Sequence, residues 1–311
     1  MMKADLITGF LGSGKTTFLS RYGEDLIRKE QHIGIIENDY GAVNVDMLLL
    51  EETFGGRAET EMIVAEDEEC HMRRFKAKLI TFGVQRLDRV VVEPSGIYDV
   101  DEFFDLLRDD PLERWYEPGS VIAIVDAALE EELSEESEYL LAAQTACAGK
   151  IVLSRVQEVS GAQIESTIAH LQRALQKAGC SRILDREKDF LIKDWADFTE
   201  GDFEMLREAG SVQADYVKRH VLSTGNYSSK YYLSLPFAKD ELFARIEKLM
   251  QDPECGEIHR IKGFCRDGEL WTEFNMNRHG LRTKTCHVGQ EVLIVIGENI
   301  NQEAVDACLQ A

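Results

Sequence analysis

Residues 9–17 of this chain read Gly-Phe-Leu-Gly-Ser-Gly-Lys-Thr-Thr, which fits the phosphate-loop pattern G-x-x-x-x-G-K-[ST]. An apolar run at residues 4–7, broken only by Asp5, precedes the loop, and the amphipathic pattern of residues 18–28 predicts a helix after it. Glycines let successive backbone N–H groups turn inward around phosphate oxygens, and the helix N-terminus adds positive charge. The stretch therefore predicts a strand, a loop and a helix that bind phosphate groups.

Each type of side chain in this loop has a predicted role. We expect Lys15 to reach the outer phosphates of a nucleotide and Thr16 to supply a hydroxyl to Mg²⁺. The remaining residues of the loop that are predicted to hold phosphate are Gly9, Gly12, Ser13, Gly14 and Thr17. The predicted ligand is a nucleoside triphosphate with its magnesium ion.

Acidic residues follow two of the apolar strands. A strand at residues 33–36 runs directly into Glu37 and Asp39, and a later strand ends in Glu93, with Gly96 close behind. In open α/β sheets, ligands bind outside the carboxyl ends of the strands. We therefore predict that the three carboxylates position Mg²⁺ and a water molecule, and that the Gly96 N–H meets the γ-phosphate.

The order of elements predicts two domains. Short apolar strands alternate with helical patterns up to about residue 194, which indicates a P-loop α/β domain with a mostly parallel sheet and helices on both faces. The order then changes to strand, helix, strands and helix, which predicts a smaller α+β domain. We place the nucleotide-binding domain at residues 1–210 and the second at residues 211–311. Residues 130–148 are predicted to form an acidic helix whose glutamates face solvent.

Composition narrows the class of partner. The chain has 35 Lys and Arg against 57 Asp and Glu, a formal net charge of −22, which argues against nonspecific binding to nucleic acid or to anionic membranes. It has no apolar run near twenty residues and no signal peptide, so we expect a cytoplasmic protein. Its seven cysteines are scattered without a C-x-x-C pair, so we expect reduced thiols.

Taken together, these segments resemble the CobW branch of the P-loop metallochaperone GTPases, relatives of the hydrogenase and urease nickel chaperones. Residues 9–17 match that family's GFLGSGKTT loop letter for letter. Residues 37–41 with Asp46 are similar to its asparagine-acid-aromatic-glycine segment and later aspartate, and residues 93–96 are similar to its E-x-x-G. In the second domain, residues 260–264, Arg-Ile-Lys-Gly-Phe, look like the family's C-terminal domain.

The resemblance implies an activity and partners. Members of this family hydrolyse GTP with Mg²⁺ and help to deliver metal ions or metallocofactors to client proteins. By resemblance, the cofactor is Mg²⁺, the substrate is GTP, and Zn²⁺ or Co²⁺ is a candidate cargo. The partner would be a client metalloprotein or a cofactor-dependent enzyme, and formation of a homodimer is left open.

One departure from the family affects the metal. Family members usually carry C-x-C-C before the helix that here begins near residue 73, and the corresponding residues in this chain are Asp67, Glu69 and Cys70. Thiolates select Zn²⁺, Cu⁺ or Co²⁺, whereas two carboxylates and one thiol make a harder and weaker site. A metal bound by this set, with or without His71, would be Co²⁺, Fe²⁺ or Zn²⁺ at lower affinity.

A second departure affects the base. The family recognises guanine with N-K-x-D, whose aspartate accepts hydrogen bonds from the base, but here the same place holds Ser154, Arg155 and Gln157. Gln157 is neutral, so discrimination for guanine should fall. We expect Arg155 to stack over the purine ring. GTP is the first choice by resemblance, and ATP is the alternative.

Three functions from different classes fit these observations. The first is a Mg²⁺-dependent nucleoside triphosphatase that delivers a metal or activates a metallocofactor, with residues 37–70 as the nucleotide-dependent switch. The second is a nucleotide-gated binding scaffold whose hydrolysis is weak or vestigial. The third is a small-molecule kinase, but the sequence contains no arginine-rich lid segment.

Cysteine and histidine residues of the second domain form two loose groups. They are Cys255, His259 and Cys265, and His279, Cys286 and His287. Their spacing matches no zinc finger and includes no C-x-x-C pair. We therefore interpret them as core or hydrogen-bonded residues rather than metal ligands.

Overall fold

The structure is a computed structural model that describes residues 1–38, 45–63, 68–96, 98, 100–217, 227–233, 235–287 and 289–310. By its contacts the chain divides into two compact units. The N-terminal unit comprises residues 1–39 and 53–221, and the C-terminal unit comprises residues 40–52 and 222–311. Among the described helices, none is both long and apolar enough to cross a membrane.

One parallel sheet forms the centre of the N-terminal unit. Its strands are β1 (Met2–Thr8), β2 (Ile33–Asn38), β3 (Glu59–Ile63), β4 (Arg89–Pro94), β5 (Tyr116–Asp126), β6 (Lys150–Ser154) and β7 (Phe190–Leu191). The strand order is β3-β2-β4-β1-β5-β6-β7, and the neighbouring strands run parallel. The predicted P-loop α/β fold with a parallel sheet is confirmed. This order places β4 beside β1, so Glu93 and the phosphate loop lie at the same edge.

Helices connect these strands. They are α1 (Lys15–Arg28), α2 (Val45–Phe54), α3 (Glu68–Gln85), α4 (Val100–Leu107), α5 (Glu135–Ala146), α6 (Gly161–Lys177) and α7 (Glu200–Arg207). Strands β4 and β6 are buried along their whole length, as is typical of parallel strands whose two faces are both covered. The core contains Val90 and Val92 of β4 with Phe75 and Leu79 of α3.

A buried polar network holds α1 against the sheet. The Tyr22 hydroxyl of α1 donates to Asp5 Oδ2 of β1 at 2.7 Å, and Arg89 Nη1 of β4 donates to the same oxygen at 2.6 Å. Burial is the main cause that raises the Tyr22 pKa, so the phenol stays protonated. The charge of Asp5 is thus paired and hydrogen-bonded. The network keeps the two ends of the phosphate loop, β1 and α1, in a fixed relation.

The prediction of an acidic, solvent-facing helix at residues 130–148 is only partly right. Helix α5 begins at Glu135, with the Ser134 hydroxyl as its N-cap, and it is buried from Ser137 to its end. Glu138 is 8% exposed and lies 2.9 Å from His170 Nε2. The physical reason is the apolar run Tyr-Leu-Leu-Ala-Ala at residues 139–143. These residues occupy every face of the helix, so the helix is buried on all sides.

An antiparallel sheet forms the centre of the C-terminal unit. Its elements are β8 (Tyr227–Leu233), α8 (Lys239–Gln251), β9 (Glu257–Asp267), β10 (Leu270–Asn277), β11 (Gly280–Cys286), β12 (Val292–Glu298) and α9 (Gln302–Gln310). The order is β11-β10-β9-β12-β8. The predicted smaller α+β domain is confirmed. The sequence did not predict β11 because this edge strand is mostly exposed and polar, with no alternating apolar pattern.

Residues 40–52 belong to the C-terminal unit, an association that the sequence did not predict. Asp46 of α2 is buried, and the Lys262 ammonium of β9 donates to its Oδ2 at 2.7 Å. Arg260 lies 3.6 Å from the other oxygen of the same carboxylate. Removing one partner of such a buried pair typically costs about 3–5 kcal/mol, because the other charge is left uncompensated. The first turn of α2 is therefore attached to the C-terminal sheet through Asp46.

Candidate functional site

The loop between β1 and α1 has the backbone of an anion cradle. Gly9, Gly12 and Gly14 have φ angles of 142°, 73° and 103°, a region that favours glycine. A Cβ on Gly9 would lie 2.2 Å from the Ile124 carbonyl oxygen, so no larger residue fits there. Gly14 precedes α1, and no side chain caps the helix start. The first N–H groups of α1 therefore face the loop, where an anion can accept their hydrogen bonds.

The lysine of the loop folds back across it. Lys15 is buried, and its Nζ donates to the Gly9 carbonyl at 2.9 Å and to the Phe10 carbonyl at 3.4 Å. The ammonium group thus lies inside the curve of the loop, where it would meet the phosphates of a bound nucleotide. The side chain of Thr17, which was also predicted to hold phosphate, is exposed in the first turn of α1.

Three residues predicted to hold Mg²⁺ are brought to one edge of the sheet. The Thr16 hydroxyl donates to Glu93 Oε1 at 2.8 Å, although the two residues are 77 positions apart. Glu37 lies beside Glu93 in the register of β2 and β4, and the two carboxylates are 3% and 4% exposed. A hydroxyl and two carboxylates are the hard oxygen ligands that suit Mg²⁺. The donor set therefore fits that ion. Asp39, the third predicted carboxylate, is outside the described residues.

Two hydroxyls beside the loop also fit an anionic ligand. Thr8 Oγ1 and Ser13 Oγ are buried, and neither has a hydrogen-bond partner in the part of the chain that the structure describes. A buried polar atom left in this state costs about 1–3 kcal/mol. Phosphate oxygens bound in the loop would supply the missing partners. Ser13 was predicted as a phosphate-binding residue and Thr8 was not, because it lies just before the motif.

Gly96 lies against the loop, as its predicted role requires. A Cβ on Gly96 would be 2.7 Å from the backbone nitrogen of Leu11, so only glycine allows this approach. The Gly96 carbonyl accepts a hydrogen bond from Gln144 Nε2 at 2.5 Å. Gln144 is buried in α5, and it therefore fixes the turn after β4 next to the loop.

At the carboxyl end of β6, Arg155 is hydrogen-bonded to the loop. It has a left-handed backbone, with φ at 57°. Its Nη2 donates to the Gly12 carbonyl at 2.8 Å, and its Nη1 donates to Asp126 Oδ2 at 2.6 Å. Ser154 is buried beneath it, whereas Gln157 is exposed in a single 3₁₀ turn. The guanidinium thus ties the end of β5 to the phosphate loop.

Trp195 lies beside the phosphate loop, although no sequence pattern predicts it as part of the site. Its indole ring would lie 3.2 Å from a Cβ on Gly14, and its Nε1 donates to the Leu153 carbonyl at 3.0 Å. The ring also packs edge-on against Phe18 of α1, with centroids 5.6 Å apart. Trp195 is half-buried, so it presents an aromatic surface beside the loop and the end of β6. It escaped prediction because it follows β7, a strand of two residues with no recognisable pattern.

Residues 3–180 match the sequence model of the family described as CobW/HypB/UreG, nucleotide-binding domain. The chain belongs to this family. The suspected resemblance to the CobW branch of the P-loop metallochaperones is therefore confirmed. The matched family model is described as a nucleotide-binding domain, and the phosphate-loop pattern at residues 9–17 lies within the matched span.

Two curated relatives come from Escherichia coli strain K12. The zinc chaperone YeiR is 29% identical over 192 residues, which cover 59% of this chain and 54% of YeiR. The zinc chaperone YjiA is 31% identical over 172 residues, which cover 50% of this chain and 49% of YjiA. The alignments thus span about half the length of these curated relatives.

Two solved structures are also similar. The Zn(II)-bound YjiA GTPase from E. coli aligns over 99% of this chain and 98% of its own, with 20% identity and a TM-score of 0.40. The hydrogenase maturation factor HypB from Archaeoglobus fulgidus aligns over 66% of this chain and 89% of its own, with 19% identity and a TM-score of 0.43. The family assignment rests on the sequence model rather than on these alignments.

The predicted replacement for the CobW family's C-x-C-C lies largely outside the described residues. This holds for all of Asp67 and for the side chains of Glu69 and Cys70 at the start of α3. The neighbouring His71 is fully buried, and burial lowers its pKa to about 4. Its imidazole is therefore neutral at pH 7 and is shielded from solvent.

Proposed function

We propose that this member of the CobW/HypB/UreG family is a Mg²⁺-dependent nucleoside triphosphatase that couples hydrolysis to delivery of a metal ion or metallocofactor to a client protein. The observation that carries the proposal is the hydrogen bond from Thr16 to Glu93, with Glu37 in register beside it and Lys15 inside the loop. Hydroxyl, carboxylates and ammonium thus surround the place where the terminal phosphate of a nucleotide would lie.

Each residue has a distinct part in this proposal. Lys15 would neutralise charge on the outer phosphates, and the backbone N–H groups of residues 12–16 would bind the remaining phosphate oxygens. Thr16, Glu37 and Glu93 would hold Mg²⁺ directly or through its waters. Bound Mg²⁺ would supply positive charge to the β- and γ-phosphate oxygens. On binding the ion, the Thr16 hydroxyl oxygen would become a metal ligand, and its present hydrogen bond to Glu93 would be lost.

A single-turnover hydrolysis assay with GTP and with ATP tests the proposal. We expect Lys15→Ala to abolish tight binding of triphosphate, and Glu93→Gln to keep binding within a few-fold while slowing hydrolysis about 100-fold or more. Glutamine keeps the shape of Glu93 and an oxygen that can accept from Thr16. Lys3→Ala is the matched control, since Lys3 is exposed on β1, away from the loop. Unchanged hydrolysis in Lys15→Ala would overturn the proposal.

Transfer of the metal needs a separate test. The two curated relatives are named zinc chaperones, and Zn²⁺ or Co²⁺ is the proposed cargo here. Protein loaded with Zn²⁺ is mixed with a fluorescent zinc chelator, and release is followed with GTP, with GDP and with Glu93→Gln plus GTP. Release that depends on hydrolysis supports delivery. Equal release in all three mixtures contradicts it.

One observation favours the alternative of a nucleotide-gated scaffold. Residue 39 belongs to the N-terminal unit, and residues 40–52 belong to the C-terminal unit, where Lys262 holds Asp46. The chain therefore passes from Glu37 to the second unit within a few residues, and occupancy of the nucleotide site alone can act on that unit. This alternative predicts client binding that differs between triphosphate and diphosphate with no hydrolysis above the Lys15→Ala background.

A further inference from the structure

Two thiols and a carboxylate meet in the C-terminal unit, far along the chain from the predicted metal cluster. Asp252 follows α8, Cys255 ends the 3₁₀ turn Pro253–Cys255, and Cys308 lies in α9. One ligand atom from each residue lies within 4.8 Å of the other two. The sequence analysis had grouped Cys255 with His259 and Cys265, but among the described residues the group that forms is this one.

The distance between the sulfurs fits a tetrahedral metal. Cys255 Sγ and Cys308 Sγ are 4.0 Å apart. Two zinc–thiolate bonds of about 2.3 Å that meet at a tetrahedral angle put their sulfurs about 3.8 Å apart. A disulfide would instead need an approach to about 2.05 Å. The two thiols make a weak S–H···S contact, and the same distance is close to the one that two thiolate ligands of a single tetrahedral ion would have.

Backbone hydrogen bonds hold the ligands in place. The Cys255 carbonyl accepts from Asn301 N at 3.0 Å, and the Cys308 carbonyl accepts from Arg245 Nη1 at 3.0 Å. Asp252 Oδ1 accepts from Glu254 N at 3.1 Å, which fixes the orientation of the carboxylate. A carboxylate offers about four acceptor positions on its two oxygens, so capping this turn leaves room for a metal bond.

The surroundings of the two thiols suit a thiophilic cation. The carboxylate of Asp252 lies within 4.8 Å of the Cys255 thiol, and Glu254 precedes Cys255 in the same 3₁₀ turn. The same negative groups attract a cation, which takes the place of the thiol proton when it binds. Cys255 is fully buried, whereas Asp252 and Cys308 are partly exposed, so an ion can enter from one side.

We propose that Asp252, Cys255 and Cys308 form a binding site for a thiophilic divalent cation, Zn²⁺ or Co²⁺, with water as the fourth ligand. Three protein ligands and an open position are typical of sites where the metal exchanges or reacts, rather than of closed structural sites. The site depends neither on nucleotide nor on the residues at 67–70. A simple core role is the competing explanation, since Cys255 packs in the apolar cluster of this unit.

Titration with Co²⁺ in the absence of oxygen tests the proposal. The Cys70→Ala variant serves as the parent, so that the cluster at residues 67–70 contributes no thiolate. We expect a single equivalent of Co²⁺ to give a thiolate charge-transfer band, which Zn²⁺ then removes. In this parent, Cys308→Ser should abolish the band, and Asp252→Asn should weaken binding about 10-fold or more while it keeps the cap of the turn. Cys265→Ser and Cys286→Ser, at other buried thiols of the same unit, should have no effect.

A second measurement needs no change at a thiol. Alkylation of Cys308 followed by mass spectrometry should be slowed about 10-fold or more by Zn²⁺ in the parent, and not in Asp252→Asn. The same charge-transfer band in Cys308→Ser, or equal alkylation of Cys308 with and without Zn²⁺, would overturn the site. The site would also be overturned if mild oxidation formed a disulfide between Cys255 and Cys308, seen as a mass loss of two hydrogens, while the reduced protein took up no metal.

Discussion

The phosphate end and the base end of the candidate nucleotide site are built in different ways. At the phosphate end, nine consecutive residues form the loop, and their backbone conformation supplies the N–H groups that are predicted to bind phosphate. At the base end, single side chains come from the turn after β6 and from the segment after β7. Arg155 and Trp195 lie beside the loop, and Gln157 is exposed in the same turn as Arg155. A loop that binds through its backbone tolerates little change, whereas side chains can be exchanged one at a time. Of the two departures from the family's motifs, the one that affects the nucleotide accordingly lies at the base end.

The largest expected effect comes from a change of backbone at the phosphate end. Gly9→Ala would put a Cβ 2.2 Å from the Ile124 carbonyl oxygen at a φ of 142°. The loop must then move, and we expect nucleotide affinity to fall by about 100-fold or more, which titration calorimetry would measure. Gly268→Ala, in the turn between β9 and β10, is the matched control, because its φ is also positive but nothing lies within 4 Å. Equal affinity in both variants would show that the backbone of the loop is not the determinant.

The next effect concerns the aromatic surface at the base end. If the purine stacks on Trp195, Trp195→Ala should weaken GTP and ATP alike by about 10-fold, since stacking of a base on an aromatic side chain is worth about 1–3 kcal/mol. Trp195→Phe should retain most of the affinity. Tryptophan fluorescence gives an independent signal: a change on nucleotide binding should disappear in Trp195→Phe and persist in Trp115→Phe. A loss confined to one base would contradict stacking.

A third prediction addresses the choice of base. Gln157 is exposed and neutral at the position where the resemblance to the CobW branch predicts an acid that recognises guanine. Gln157→Asp restores a charged acceptor, and a hydrogen bond to a charged group is worth about 1.5–3 kcal/mol. We expect the ratio of GTP to ATP affinity to rise about 10-fold relative to the parent. Gln163→Asp, on α6, is the control. A strong preference for GTP in the parent would show that the argument from Gln157 is wrong.

The contrast between a contiguous loop and single side chains that folding brings together also explains which parts of this site the sequence predicts. The loop, Glu93 and Gly96 could be predicted because short contiguous motifs identify both the glycine-rich loop and the carboxyl ends of the strands. Trp195 could not, because its place beside Gly14 results from the packing of segments 181 residues apart (195 − 14).

The same limit applies to long-range polar pairs. Asp46 and Lys262 are 216 positions apart, and Cys255 and Cys308 are 53 apart. Each residue alone looks like an ordinary surface charge or core thiol, and no periodicity links it to its partner. Such pairs are decided by which faces of the elements meet, and local propensity carries no information about that.

The smallest expected effect lies where the two ends meet. Arg155 donates both to the Gly12 carbonyl of the loop and to Asp126. Lysine carries the charge but not the planar fork, so Arg155→Lys can keep only one of the two bonds. If the guanidinium only supports the loop, affinity for diphosphate and triphosphate should fall by the same factor of about 3, which is less than 1 kcal/mol. If it moves onto the nucleotide, the triphosphate should lose more than the diphosphate. Titration of both nucleotides, with Arg173→Lys on α6 as the control, distinguishes a support from a ligand and shows whether the two ends act separately.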